Sequence, residues 1–96
     1  MKIQEYLDKL DKMDDDVRAK TSEKVINIFS PVGKQSMLQF QRKWFEEAKR
    51  PYEDYVKAQN EEIKKCIALE MSAVGKTVRE HFGMPPMTAE MEIPNE

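Results

Sequence analysis

The longest hydrophobic pattern in the chain lies in its C-terminal half. Apolar residues recur every three or four positions from Tyr52 to Phe82, and Gly83 followed by Pro85-Pro86 ends the pattern. This spacing predicts one uninterrupted amphipathic helix. At about 1.5 Å per residue, a helix over 52–82 is roughly 46 Å long, whereas a globule of this chain length is roughly 32 Å across. The overhanging apolar stripe then needs a kink, a partner molecule or a second copy of the chain to cover it.

The N-terminal part contains two helical patterns that meet at an acidic triplet. The first places five apolar residues on one seam with the spacing of coiled coils and small bundles: Ile3, Tyr6, Leu10, Met13 and Val17. The triplet Asp14-Asp15-Asp16 consists of poor helix formers that are good N-caps. The helix therefore either continues through the triplet or restarts at Asp15 or Asp16. We favour a first helix, a hinge, and a second helix that ends at Phe29.

Two prolines mark further helix boundaries. Pro31 forces Ser30 out of helical geometry, and serine as N-cap followed by proline is a common helix start. A third helix is therefore predicted after Ser30, and its largest apolar side chains are Phe40, Trp44 and Phe45. Pro51 permits two interpretations. It either kinks one very long helix or occupies the first turn of a new one.

These patterns predict an all-α protein, either a three- or four-helix bundle or a helical hairpin with a long C-terminal helix that pairs in a dimer. Residues 1–83 are predicted to form a single helical domain. Residues 84–96 contain three prolines and three glutamates, which predicts an extended or disordered acidic tail. Within the tail, Met87, Met91 and Ile93 either dock into a groove on this protein or on a target, or belong to an unstructured end.

Composition narrows the class of protein. The chain is 40% hydrophobic and 35% charged, which is typical of a charged helical protein and has too many apolar residues for a disordered one. The net charge of −2 provides no strong overall attraction to nucleic acid or to a membrane. One cysteine, a charged N-terminus and no long apolar segment predict a cytoplasmic protein without a disulfide or a membrane partner.

No catalytic, cofactor or metal constellation is recognisable. Cys66 and His81 would lie about 22 Å apart on a straight helix, and one Cys with one His does not make a zinc set. Gly33-Lys34 and Gly75-Lys76-Thr77 imitate part of a phosphate-binding loop, but the glycine that the motif requires five positions earlier is missing from both. We therefore expect a protein that is not an enzyme and that needs no cofactor or metal.

The residues best suited to bind a partner lie around Pro51. Cations and aromatic side chains alternate there, and the candidates are Arg42, Trp44, Phe45, Arg50, Tyr52 and Tyr55. Aromatic anchors next to arginine dominate many protein interfaces. The sequence therefore predicts a small protein-binding module, such as a regulatory adaptor, an inhibitor or a phage accessory protein, that also forms a homodimer. The alternative is nucleic-acid binding through the basic aromatic segment 42–52. A purely structural role in a core face or dimer seam is also compatible with this spacing.

Overall fold

The computed structural model describes residues 1–47 and 51–94, except for the side chain of Glu47. In these residues the chain forms five α-helices: α1 (Ile3–Lys9), α2 (Asp15–Asn27), α3 (Pro31–Glu47), α4 (Tyr52–Met71) and α5 (Ala73–His81). A short 3-10 helix, Leu10–Lys12, directly follows α1. The prediction of an all-α protein is confirmed.

The predicted hinge at the acidic triplet is present. The Asp14 carboxylate accepts a hydrogen bond from the Asp16 backbone N–H at 3.3 Å, and α2 begins at Asp15. The next helix, α3, begins at Pro31 as expected. Helix α2 ends at Asn27, two residues before the predicted end. The N–H groups of Ile28 and Phe29 donate to carbonyls three residues back, at 3.1 Å each, so the last turn tightens and leaves the α-helical pattern.

The prediction of one uninterrupted helix over 52–82 is wrong, because the chain breaks at Ser72. The backbone of Ser72 is extended, with φ −73° and ψ 169°. Its hydroxyl accepts from the Gly75 N–H at 3.1 Å and donates to the Leu69 carbonyl at 2.6 Å. Serine thereby caps the start of α5 and competes with the backbone bonds that would continue α4. Pro51 is the N-cap residue of α4, so this helix begins immediately after it.

This break changes the shape that the sequence suggested. Helix α4 has 20 residues and is therefore about 30 Å long. The whole molecule measures 38 × 26 × 21 Å. Since α4 fits within the longest dimension, helix length gives no reason for a second copy of the chain.

Helices α3 and α4 pack against each other in antiparallel orientation. Ser30, immediately before α3, is bonded to Glu70 near the end of α4, whereas Trp44 contacts Tyr55 near the start of α4. The hydrophobic core combines residues from α1 to α4 with residues from the C-terminal segment. Its buried members are Ile3, Tyr6, Leu10, Val25, Phe29, Met37, Ile63, Cys66, Ile67, Met87 and Ile93.

The segment 84–94 lies against α1 and contains a turn at Ala89 and Glu90, where the Met91 N–H donates to the Thr88 carbonyl at 3.1 Å. The N–H groups of Ile3 and Gln4 donate to the carbonyls of Met91 and Ala89 at 2.9 and 3.0 Å. These two N–H groups belong to the first turn of α1 and have no acceptor within their own helix. Met87 and Ile93 are buried in the core and Met91 is half-buried. The segment therefore docks on its own chain and completes the start of α1.

We expect Met87→Ala to lower the free energy of unfolding by about 2–3 kcal/mol, since the Met87 side chain is only 1% exposed and its removal leaves a cavity in the core. Urea unfolding followed by circular dichroism measures the loss. Met91→Ala serves as the matched control and should cost less, because Met91 is half-buried. Equal stability of the two variants would contradict the packing of Met87 in the core.

Candidate functional site

Five aromatic side chains from α3 and α4 form one cluster, which we call the aromatic patch. Its members are Phe40, Trp44, Phe45, Tyr52 and Tyr55. Tyr55 lies at the centre, with its ring centroid 5.5 Å from Trp44, 6.0 Å from Phe40, 6.1 Å from Phe45 and 6.2 Å from Tyr52. These separations lie in the range of favourable aromatic pairs. Packing of α3 on α4 thus brings two groups of rings together.

The patch has an inner and an outer part. Phe40, Trp44 and Tyr55 are half-buried, whereas Phe45 is 71% and Tyr52 is 58% exposed. Partial burial raises the pKa of the Tyr55 phenol, and its oxygen accepts a hydrogen bond from Gln59 Nε2 at 3.3 Å. The inner rings therefore form a packed base that holds two large aromatic side chains at the surface.

The structure assembles four of the six residues that the sequence singled out. Trp44, Phe45, Tyr52 and Tyr55 lie in the aromatic patch. Arg42 is exposed on α3. Arg50 lies outside the described residues. The contribution of Arg42 to partner binding remains a prediction, as does that of Arg50.

A groove with mostly negative charge lies next to Tyr52, and we call it the acidic groove. Its volume is about 610 Å³, and its lining includes four carboxylates, one lysine and the exposed tyrosine: Asp11, Asp15, Glu53, Glu61, Lys57 and Tyr52. Lys64 donates to Asp11 at 2.7 Å, and this hydrogen bond lowers the pKa of the Asp11 carboxyl. The excess of carboxylates favours cationic groups and opposes phosphate on this side of the patch.

A second, smaller groove lies on the other side of Tyr52, between α2 and α4. We call it the α2–α4 groove, and its volume is about 330 Å³. Tyr52 and Tyr55 line it from α4, and Arg18 and Glu23 line it from α2. Both grooves thus share Tyr52 as a wall.

Comparisons with protein-family models, with curated proteins and with solved structures find no match to this chain. Across residues 1–47 and 51–94, no helix has the length and apolar character needed to cross a membrane.

Sequence reasoning missed a buried polar network at the junction of α2, α3, α4 and α5. Arg79 donates to Glu70 Oε1 at 2.8 Å, to the Ile28 carbonyl at 2.8 Å and to the Pro85 carbonyl at 2.7 Å. Glu70 accepts in turn from the backbone N–H of Ser30 and from its hydroxyl, the latter at 2.7 Å. Both charged side chains are 1% exposed. This network joins the C-terminal part of the chain to the start of α3. The Glu70 carboxylate there also interacts favourably with the positive end of the α3 helix dipole.

The one cysteine is poorly suited to chemistry. Burial raises the pKa of the Cys66 thiol to about 11, so the thiol is protonated at neutral pH and is a weak nucleophile. His81 is exposed and its ring contacts Phe82 edge-on, with centroids 5.0 Å apart. In the part of the chain that the structure describes, no group of three or more His, Cys, Asp or Glu side chains is arranged to hold a metal ion.

Proposed function

We propose that this chain is a small, non-enzymatic protein-binding module of the cytoplasm that contacts its partner through the aromatic patch. The observation that supports this is the exposure of Phe45 and Tyr52, at 71% and 58%, on a base of packed rings. Large exposed apolar surfaces mark interaction sites in soluble proteins, and aromatic anchors contribute most of the binding energy at interfaces. A module of this kind acts by binding to the surface of another protein, as adaptors and inhibitors do.

The first partner to test is a second copy of the chain. The sequence predicts a homodimer, and two aromatic patches related by a two-fold axis would cover each other in a symmetric interface. In that dimer, the packed helices of each copy would hold its aromatic patch at the interface. A different protein partner would use the same anchors.

Nucleic-acid binding is the alternative for the segment 42–52. Exposed Arg42 and Lys43 next to Trp44 favour it, because they could combine phosphate contacts with stacking on a base. The four carboxylates of the acidic groove lie on the Tyr52 side of the patch and would repel a phosphate backbone. This charge distribution is why we propose a protein partner.

Size-exclusion chromatography with light scattering tests the proposal. The native chain of 11.3 kDa is expected to elute as a dimer, and a double variant with Phe45→Glu and Tyr52→Glu is expected to be a monomer with unchanged helix content. Loss of one hot-spot residue costs about 2 kcal/mol, so self-association should weaken by roughly 30-fold or more. Tyr55 is left unchanged because it is half-buried and its loss would also disturb packing.

The matched control places the same charges on exposed apolar residues of the C-terminal part of the chain. Val74 is 65% and Phe82 is 52% exposed, and the double variant with glutamate at both positions should remain a dimer. A native protein that is a monomer at all concentrations refutes self-association. An excess of absorbance at 260 nm over 280 nm in the native peak supports nucleic acid instead.

A further inference from the structure

We infer that the α2–α4 groove is a binding site for a small organic carboxylate, with Arg18 as the cationic group that receives it. The inference does not depend on the proposed protein partner, although Tyr52 borders both surfaces. Arg18 is a buried arginine to which the described part of the chain supplies no counter-charge.

Arg18 is only 3% exposed, yet its partners are neutral. Its Nη1 donates to Gln59 Oε1 at 2.8 Å and to Asn60 Oδ1 at 3.3 Å. Its Nε is buried and has no acceptor among the residues that the structure describes. Among the described residues no carboxylate forms an ion pair with Arg18, whereas the equally buried Arg79 pairs with Glu70 at 2.8 Å. A buried cation without a counter-charge is costly, and an anion that enters the groove reduces that cost.

The surroundings of Arg18 leave its charge largely uncancelled. Asn60 links it to Asp11, with Nδ2 donating to Oδ1 at 3.3 Å, but Lys64 already pairs with Asp11 at 2.7 Å. The nearby phenol of Tyr6, whose pKa burial raises to about 12, is neutral at pH 7 as an ordinary tyrosine is. Among the side chains that line the groove, Glu23 is acidic, and it is exposed. The groove therefore offers a positive site behind a single surface carboxylate.

The shape and lining of the groove define the rest of the ligand. Its volume of about 330 Å³ lies at the small end of ligand sites, which span roughly 300–1,000 Å³. Tyr52, Tyr55 and Ile26 provide apolar walls, and Gln59 adds an amide. Arginine binds carboxylates through charge-assisted hydrogen bonds. A carboxylate on a flat apolar body fits these features, and Glu23 disfavours a more highly charged anion.

An NMR titration of the native protein with benzoate tests the site, with benzamide as the uncharged probe of the same shape. Benzoate is expected to shift the amide signals of residues that line the groove, with a dissociation constant in roughly the millimolar range for so small a ligand. Benzamide should bind at least about tenfold more weakly, because it lacks the charge that Arg18 receives. Equal binding of the two probes, or shifts confined to the acidic groove, would overturn the inference.

Three variants sharpen the test. Arg18→Lys keeps the positive charge but loses the planar guanidinium that can bond both carboxylate oxygens, and should weaken benzoate binding about tenfold. Glu23→Gln removes the surface carboxylate and should tighten binding by roughly two- to fivefold, the range expected for one exposed charge. Glu61→Gln, in the acidic groove, should leave benzoate binding unchanged.

Glu23→Gln keeps the inference testable even where Arg18→Lys disturbs folding, because Glu23 is exposed. Unchanged benzoate binding in Glu23→Gln would overturn the assignment. A further probe, N-acetyl-glutamate amide, imitates an acidic side chain of a protein. Tighter binding of this probe than of benzoate would overturn the small-molecule assignment and assign the groove to an acidic residue of a partner protein.

Discussion

Glu70→Met is expected to lower the free energy of unfolding by about 3–5 kcal/mol, because it leaves the Arg79 guanidinium buried without its counter-charge. Arg79 is 1% exposed and Glu70 is its one ion-pair partner in the described part of the chain. The substitution also removes the acceptor for the N–H and hydroxyl of Ser30. Urea unfolding at pH 7, followed by circular dichroism, measures the loss.

A double-mutant cycle separates the coupling energy of the ion pair from the effect of changing the size and shape of the two side chains. Arg79→Met alone should destabilise by a similar amount, since it leaves Glu70 as an uncompensated buried carboxylate. The variant with methionine at both positions should lose clearly less than the sum of the two single losses, because no unpaired charge remains. Strictly additive losses would contradict the coupling of Glu70 and Arg79.

An exposed ion pair provides the control for this cycle. Lys64 donates to Asp11 at 2.7 Å, and the Asp11 side chain is 60% exposed. Lys64→Met should cost less than about 1 kcal/mol, because water screens the pair and solvates the remaining charge. A loss as large as that of Glu70→Met would show that burial is not what makes the Glu70–Arg79 pair important.

Gly75→Ala is expected to destabilise the protein by about 3 kcal/mol or more, the upper end of the cost of overpacking. A Cβ atom on Gly75 would lie 2.0 Å from the Leu69 carbonyl oxygen and 2.6 Å from the Glu70 Cα. Both contacts are with backbone, so relief requires the turn between α4 and α5 to open. Thermal unfolding and circular dichroism of the variant measure the effect.

The sign of this effect distinguishes the observed fold from the continuous helix that the sequence pattern predicts. In the interior of a straight helix, Gly→Ala stabilises by about 1 kcal/mol. A more stable and more helical Gly75→Ala variant would therefore indicate that α4 and α5 are one helix in solution. Gly83→Ala is the control: its φ of +68° disfavours alanine, but no atom of the described residues lies within 4 Å of the added carbon, so it should cost about 1–2 kcal/mol.

The boundaries that sequence reasoning located correctly depend on short-range chemistry. Asp14 caps α2 with its own side chain, and Pro31 excludes helical geometry for the residue before it. Part of the aromatic patch could be predicted from the sequence for the same reason. Phe40 and Trp44 are four residues apart on α3, and Tyr52 and Tyr55 are three apart on α4, so each pair shares a helix face.

The buried network was not predictable from the same pattern. Glu70 and Arg79 are nine residues apart, which on a continuous helix places them on opposite faces. They meet because the chain turns at Ser72, where the local capping signal of Ser72 and Gly75 prevails over the apolar repeat around it. The Arg18 site is similar, since its groove exists only where α2 packs beside α4.

The sequence by itself determined that the chain is helical, where α2 and α3 begin, and which aromatic residues share a helix face. Each of these follows from interactions between residues at most a few positions apart. Tertiary structure alone decided the docking of 84–94 on α1, the pairing of Glu70 with Arg79 and the burial of Arg18 beside neutral side chains. These features depend on which segments, distant in sequence, pack against each other and exclude water. Whether a charged side chain or a methionine is buried is decided only when the whole core is assembled.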